Sequence, residues 1–190
     1  HAGGPRAHSV VGTAQATPDN PATTATKQLQ AGRVTEVTQV GRHVRILRVT
    51  RPAAFQFRAG QHVKLGLSNG GKAHSYSIAS PPTDSLLEFC IKRVPDGRLS
   101  PRLARLSVGD YLQIGSRPKG NFVLEPGARV HLMVATGTGI APIRSLLLDA
   151  LKQPTPPRFL ILHGASYADE LPYAEELSEL ARKHPQVLRY

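Results

Sequence analysis

The stretch VATGTGIAPIRSLL, residues 134–147, decides the fold. An apolar run ends at Thr136, glycines stand at 137 and 139, and a helical period begins near Ile140. A strand that passes into a helix through such a turn can bring its backbone close to a ligand. The helix start then offers free N–H groups and a positive dipole end to a phosphate. The turn is neither a G-x-G-x-x-G fingerprint nor a phosphate loop ending in Lys-Ser/Thr, so a ligand-free βα connection stays open on this motif alone.

Downstream the same rhythm continues. RVHLMVA (129–135) reads as a buried parallel strand, and RFLILHG (158–164), a helical stretch over 169–184 and QVLRY (186–190) follow it. This β-α-β-α-β order predicts a doubly wound parallel sheet over residues 129–190. Three strands fall short of the roughly five or six such a nucleotide-binding sheet normally holds, so the domain is expected to be incomplete.

Upstream the period is two. Strand patterns run over residues 34–40, 44–49, 62–67, 75–79, 86–94, 111–115 and 121–124, broken by SNGG, SPPTD and PDG turns. This spacing predicts an antiparallel barrel over residues 31–128. One short helix interrupts it at residues 100–106, with Ser100 as N-cap and Pro101 at the first helical position. Residues 1–30 are rich in Ala, Thr, Pro and Gly without a hydrophobic period and read as a flexible extension. They lack the charged start and apolar core of a secretory signal.

Charge is unevenly shared. The 190 residues carry a formal +11, of which residues 31–128 hold +9 and residues 129–190 only +1. The positive field belongs to the barrel and predicts an acidic or phosphate-bearing partner. No apolar run approaches the ~20 residues of a bilayer span. The single cysteine, Cys90, excludes a disulfide scaffold, a Cys-based zinc site and a resident iron–sulfur cluster, and no His/Asp/Glu cluster has ligand spacing, so no metal is expected. A non-enzymatic barrel binding nucleic acid is disfavoured: aromatics are 5%, Trp is absent, and only Tyr76 lies among basic residues.

Two more segments carry candidate chemistry. In HSYSIAS (74–80), Tyr76 could offer a flat face and Ser77 a hydroxyl to a ring system, although an ordinary edge strand carries such residues as readily. In PDGRLSPRL (95–103), Arg98 and the backbone at Ser100 suit an anion, and simple helix capping explains the same residues.

Taken in order, FQFRAGQHV (55–63), HSYSIAS, PDGRLSPRL, GSRPKGNFVL (115–124), VATGTGIAP (134–142) and HGASYADELPY (163–173) resemble the ferredoxin–NADP reductase superfamily, and within it the bacterial ferredoxin/flavodoxin–NADP reductases. The resemblance implies a six-stranded FAD-binding barrel followed by an NAD(P)-binding domain. It also implies a cytoplasmic enzyme moving electrons between NAD(P)H and an acidic carrier such as ferredoxin or flavodoxin. The alternative is the reductase component of an oxygenase or an electron-transfer subunit.

By the same resemblance Tyr76 stacks on the flavin ring and Ser77 hydrogen-bonds near its N5, as the two catalytic positions. His74, Ser75, Cys90, Arg98, Leu99, Ser100 and Thr138 complete the FAD contacts, and Thr136, Gly137, Thr138, Gly139, Pro142, Ala165 and Ser166 form the NADP site. Two positions depart from the family. His74 stands where an arginine usually faces the FAD phosphates, replacing a bidentate guanidinium with an imidazole. Ser166 stands where an arginine commonly grips the NADP 2′-phosphate, which leaves NAD possible.

Overall fold

The computed structural model describes residues 29–190. Almost all of the proposed extension lies outside the described residues; Leu29 and Gln30, assigned to it from sequence, instead open the first strand. Six strands follow the alternation expected of the first segment: β1 (Leu29–Val40), β2 (Val44–Thr50), β3 (His62–Leu67), β4 (His74–Ser77), β5 (Leu86–Lys92) and β6 (Tyr111–Gly115). They form one antiparallel sheet in the order β4-β3-β6-β1-β2-β5.

The sheet curls because β1 serves two partners. Its first five residues pair with β6 and the remainder with β2, with a register shift between Val34 and Glu36. Such an irregularity sharpens local twist and lets a strand turn a corner. The far edges then meet, since the Ala79 N–H donates to the Glu88 carbonyl at 2.8 Å. Inside lies a core of Val34, Leu47, Val63, Leu65, Leu87, Phe89, Ile91, Leu112 and Ile114, sealed at one end by Leu99 and Leu103.

Two local expectations need correction. Residues 121–124 form no strand. After β6 the chain makes only an isolated bridge, between Lys119 and His62, and then passes with the Phe122 carbonyl over Gly60. A Cβ on Gly60 would stand 1.8 Å from that oxygen, so glycine is required there. Pro118, immediately before the bridge, has no N–H to extend the ladder. Second, α1 (Ser100–Leu103) has Leu99 at its cap with no side-chain hydrogen bond. Ser100 sits one position inside, and its hydroxyl accepts from the Val94 N–H at 3.2 Å, tying down the 95–97 turn instead.

The second unit is β7 (Val130–Thr136), α2 (Ile140–Ala150), β8 (Arg158–Gly164), α3 (Ala174–Lys183) and β9 (Leu188–Arg189), with parallel strands in the order β7-β8-β9. The expected helix over 169–184 begins only at Ala174; a 3-10 turn and Pro172 precede it. Both crossovers step in the same direction, and right-handed connections then place α2 and α3 on one face. There Met133, Ala135, Phe159 and Ile161 pack under Ile143, Leu147 and Leu177. The strands are therefore buried on one side only. Val130, Leu132, Val134, Leu160 and Leu162 point the other way, and Leu132 and Val134 are 62% and 67% exposed.

Candidate functional site

One strand organises the predicted ligand segments. β5 touches β4, α1 and the 3-10 turn Gly137–Gly139, so three motifs distant in sequence converge on it. Along β4 the alternation separates the two expected catalytic residues. Tyr76 is half-buried and leans on the barrel core with Ile78, whose side chain is fully inside. Ser77 shares the opposite face with Ala79, which packs beside Ala141 of α2. Tyr76 and Ser77 thus flank the strand and do not converge from one side. Burial raises the Tyr76 phenol above its ordinary value, so it stays protonated at neutral pH.

His74 and Ser75 are exposed on β4, which pairs with β3 on one edge while its other edge runs unpaired down to Ala79. Across that seam lies Cys90, 6% exposed, packed with Val44, Ile46, Ala79 and Ala141. Burial and the nearby Glu88 push its thiol up to about 12. Below it, Arg98 is exposed and Leu99 buried, and the N–H groups of Arg98, Leu99 and Ser100 have no partner among the described residues. An open strand edge, free amides and an uncharged thiol are a donor set that fits a dinucleotide carrying a ring and a pyrophosphate.

The glycine-rich turn is held from behind. Gly137 has φ +50, a backbone region that glycine enters without strain. Its carbonyl accepts from His163 Nε2 at 3.0 Å, and His163 Nδ1 lies 3.0 Å from the Tyr190 hydroxyl. A carbonyl can only accept, so Nε2 carries the proton and Nδ1 takes the Tyr190 hydrogen. Burial holds the imidazole below its ordinary pKa, which favours this neutral form. Thr136 and Gly139 are exposed, Thr138 and Pro142 half-buried, and Ala165 and Ser166 lie exposed just past β8, at the same end of the sheet as the turn. That is the carboxyl end of parallel strands, where open α/β sheets bind ligands.

The sequence reading missed a charged cluster between the two units. Arg144 of α2, with a side chain only 11% exposed, pairs with both oxygens of Glu176 at 2.6 and 2.8 Å, donates to the Ala79 carbonyl at 2.9 Å and lies 3.2 Å from Glu88. Its guanidinium sits 4.6 Å from the Tyr173 ring centre. The signal was present: an arginine inside the apolar run IAPIRSLL, and a glutamate inside LLEFCI.

The fold and this geometry define an antiparallel barrel followed by a parallel α/β sheet, with the candidate ligand segments meeting along the seam between them. Comparison with known proteins agrees: residues 31–124 match the oxidoreductase FAD-binding domain and residues 133–190 the oxidoreductase NAD-binding domain. A flavodoxin/ferredoxin–NADP reductase of Rhodobacter capsulatus is 38% identical over 146 residues, covering 74% of this chain and 54% of that protein. Methane monooxygenase component C of Methylosinus trichosporium is 34% identical over 148 residues, covering 75% of this chain and 43% of that one. The chain therefore spans about half the length of the curated relatives it matches. A ferredoxin NADP+ reductase structure from Neisseria gonorrhoeae, with bound FAD and NADP, superposes with a TM-score of 0.72 at 26% identity over 82% of this chain and 65% of that one. The chain belongs to the ferredoxin–NADP reductase superfamily.

Proposed function

We propose that the chain is the flavin- and nucleotide-binding portion of an oxidoreductase that moves electrons between NAD(P)H and a one-electron carrier. The observation that carries this is the convergence of β4, α1 and the Gly137–Gly139 turn on β5, which supports adjoining flavin and nucleotide sites. When bound, the flavin supplies the redox chemistry, exchanging electron pairs with a nicotinamide and single electrons with a carrier.

The protein's share is binding and orientation. Tyr76 offers its ring as a stacking surface, and Ser77 a hydroxyl on the face turned toward the second domain. Arg98 and the amides through Ser100 take the pyrophosphate, with His74 and Ser75 on the open edge of β4. Cys90, kept as a neutral thiol, lines the seam without reacting. Thr138 stands between flavin and nicotinamide. Thr136, Gly137, Gly139 and Pro142 shape the nucleotide turn, while Ala165 and Ser166 receive the adenosine half. Ser166 brings a hydroxyl and no charge, so NADP is the reading from family resemblance and NAD is accepted alongside it.

The carrier we infer is acidic, of the ferredoxin or flavodoxin kind. Besides the barrel's +9, a surface cavity of about 330 Å³ is lined by Arg42, His43, Arg45, Arg93 and Arg105 with no carboxylate on its walls. Such a field raises the encounter rate with an acidic protein. No helix of the described residues is long and apolar enough to cross a membrane. From the family resemblance, we propose the cytoplasm as its compartment. The resemblance to a methane monooxygenase component supports a second reading, in which the acceptor belongs to an oxygenase.

Flavin-reconstituted protein should reduce ferricyanide with NADPH or NADH. Absence of FAD binding, or of any nucleotide-dependent reduction by flavin-loaded protein, would overturn the proposal.

A further inference from the structure

We propose that Arg144 and Ser145 form a joint that fixes the spacing between the flavin-holding strand and the nucleotide-holding turn; Arg144 is thereby a positioning residue for electron transfer between the two cofactors. The inference rests on the function proposed above and concerns residues to which that function assigns no role.

The joint connects the tails of both motifs. Ala79 and Ser80 come directly after the Tyr76–Ser77 strand, and Arg144 and Ser145 lie one helical turn past the Gly137–Gly139 turn. Arg144 donates to the Ala79 carbonyl at 2.9 Å, and the Ser145 hydroxyl to the Ser80 carbonyl at 2.7 Å. Ser80 is held in turn, its hydroxyl accepting from the Glu88 N–H at 3.1 Å. Two adjacent side chains of α2 thus grip two adjacent carbonyls of the barrel. Ser80 and Ser145 are 2% and 0% exposed, so water does not compete for these bonds.

Arg144 is itself aimed by its surroundings. Glu176 of α3 takes two of its nitrogens, Glu88 of β5 approaches a third, and the Tyr173 ring covers the guanidinium. Tyr173 holds that ring in place from a left-handed backbone, φ +65, an uncommon conformation for a bulky residue. Glu88 extends the chain of charges to Arg48 at 3.3 Å and so to Glu36 at 3.2 Å, linking the joint to the barrel's outer face. A guanidinium that serves a carbonyl and two carboxylates in fixed directions sets an orientation as well as a charge. Small displacements at reacting centres cost large factors in rate, so a spacer of this kind acts on turnover more than on binding.

The test uses the full chain with and without FAD. In the cofactor-free protein, Arg144→Met and the milder Ser145→Ala should speed hydrogen exchange at the amides of residues 78–80 and 140–147, leaving β3 and β6 unchanged. In the flavin-loaded protein, both should keep FAD affinity within about twofold by flavin fluorescence. With the flavin reduced anaerobically by dithionite, each should weaken the long-wavelength flavin–nicotinamide charge-transfer absorbance on adding NADP+ or NAD+. Turnover should fall at least tenfold for Arg144→Met with little change in KM, and Arg144→Lys, which keeps charge without the fork, should not restore it.

Unchanged exchange in both cofactor-free variants overturns the joint. So does unchanged turnover and absorbance in both loaded variants. If Arg144→Met does not fold, Ser145→Ala alone decides between these outcomes. Failure of the functional reading looks different, because the unmodified protein would then bind no FAD or oxidise no nucleotide, while the exchange result would still report on the joint.

Discussion

His163 Nε2 donates to the Gly137 carbonyl at 3.0 Å, so the end of β8 pins the glycine-rich turn that follows β7. The two strands are parallel neighbours in register from Val130↔Arg158 to Thr136↔Gly164, which brings their carboxyl ends side by side. A single imidazole therefore braces the nucleotide turn from the adjacent strand.

Replacing His163 with Ala should raise KM for NAD(P)H about two- to tenfold with a smaller change in kcat. One neutral hydrogen bond is worth about 0.5–1.5 kcal/mol, which converts to a factor of that size. Steady-state kinetics of the flavin-loaded protein checks this. A kcat effect larger than the KM effect would show that the imidazole does more than hold the turn.

The same histidine predicts a pH dependence of folding. Its pKa is lowered in the fold by burial, so between that value and the ordinary 6.5 the unfolded chain binds more protons than the native one. Its part in stability is complete above pH 6.5 and is lost as pH falls through the folded value. Midpoints of urea unfolding should drop with pH over this window, and the His163→Gln variant should show a shallower drop.

Cys90 should resist modification in the native state. Its thiol, pushed up to about 12, holds almost no thiolate at neutral pH, and the side chain is buried beside Ala79 and Ala141. Ellman's reagent should react slowly with the folded protein and stoichiometrically after denaturation. Fast labelling of the native chain would contradict the packing of β5 against α2.

The outward face of the parallel sheet should govern self-association. Leu132 and Leu162 are 62% and 55% exposed, and with Val130, Val134 and Leu160 they make a continuous apolar surface. Changing Leu132 and Leu162 to Lys should lower light scattering of concentrated solutions. The melting temperature should move by only a few degrees, since neither side chain joins the buried cluster.

Much of the architecture was legible because it follows from local pattern. Alternating or short apolar runs between turn residues marked all six barrel strands, and the glycine turn at 137–139 marked the passage from β7 to α2. What escaped depends on partners remote in sequence. The 121–124 stretch is a short apolar run of strand-forming residues, yet beyond Lys119 it finds no continuous partner. Arg144 and Glu88 read as ordinary charges, because their burial arises only when α2 docks on β5, 56 residues away along the chain. Tyr76 and Ser77 are neighbours in a motif, and the pleat of β4 sends them to opposite faces.

The three apolar clusters also give assembly a direction. Among the described residues, the barrel's core draws only on residues of the barrel, from Val34 to Ile114, and closes on itself. The sheet's core is not self-sufficient in the same way: it includes Ala59 from the barrel's β2–β3 connection and Leu124 from the linking segment. The sheet borrows from the barrel and lends nothing back to that core. The nucleotide half is thus a dependant of the flavin half: part of its core is furnished from outside it, while the barrel's is not.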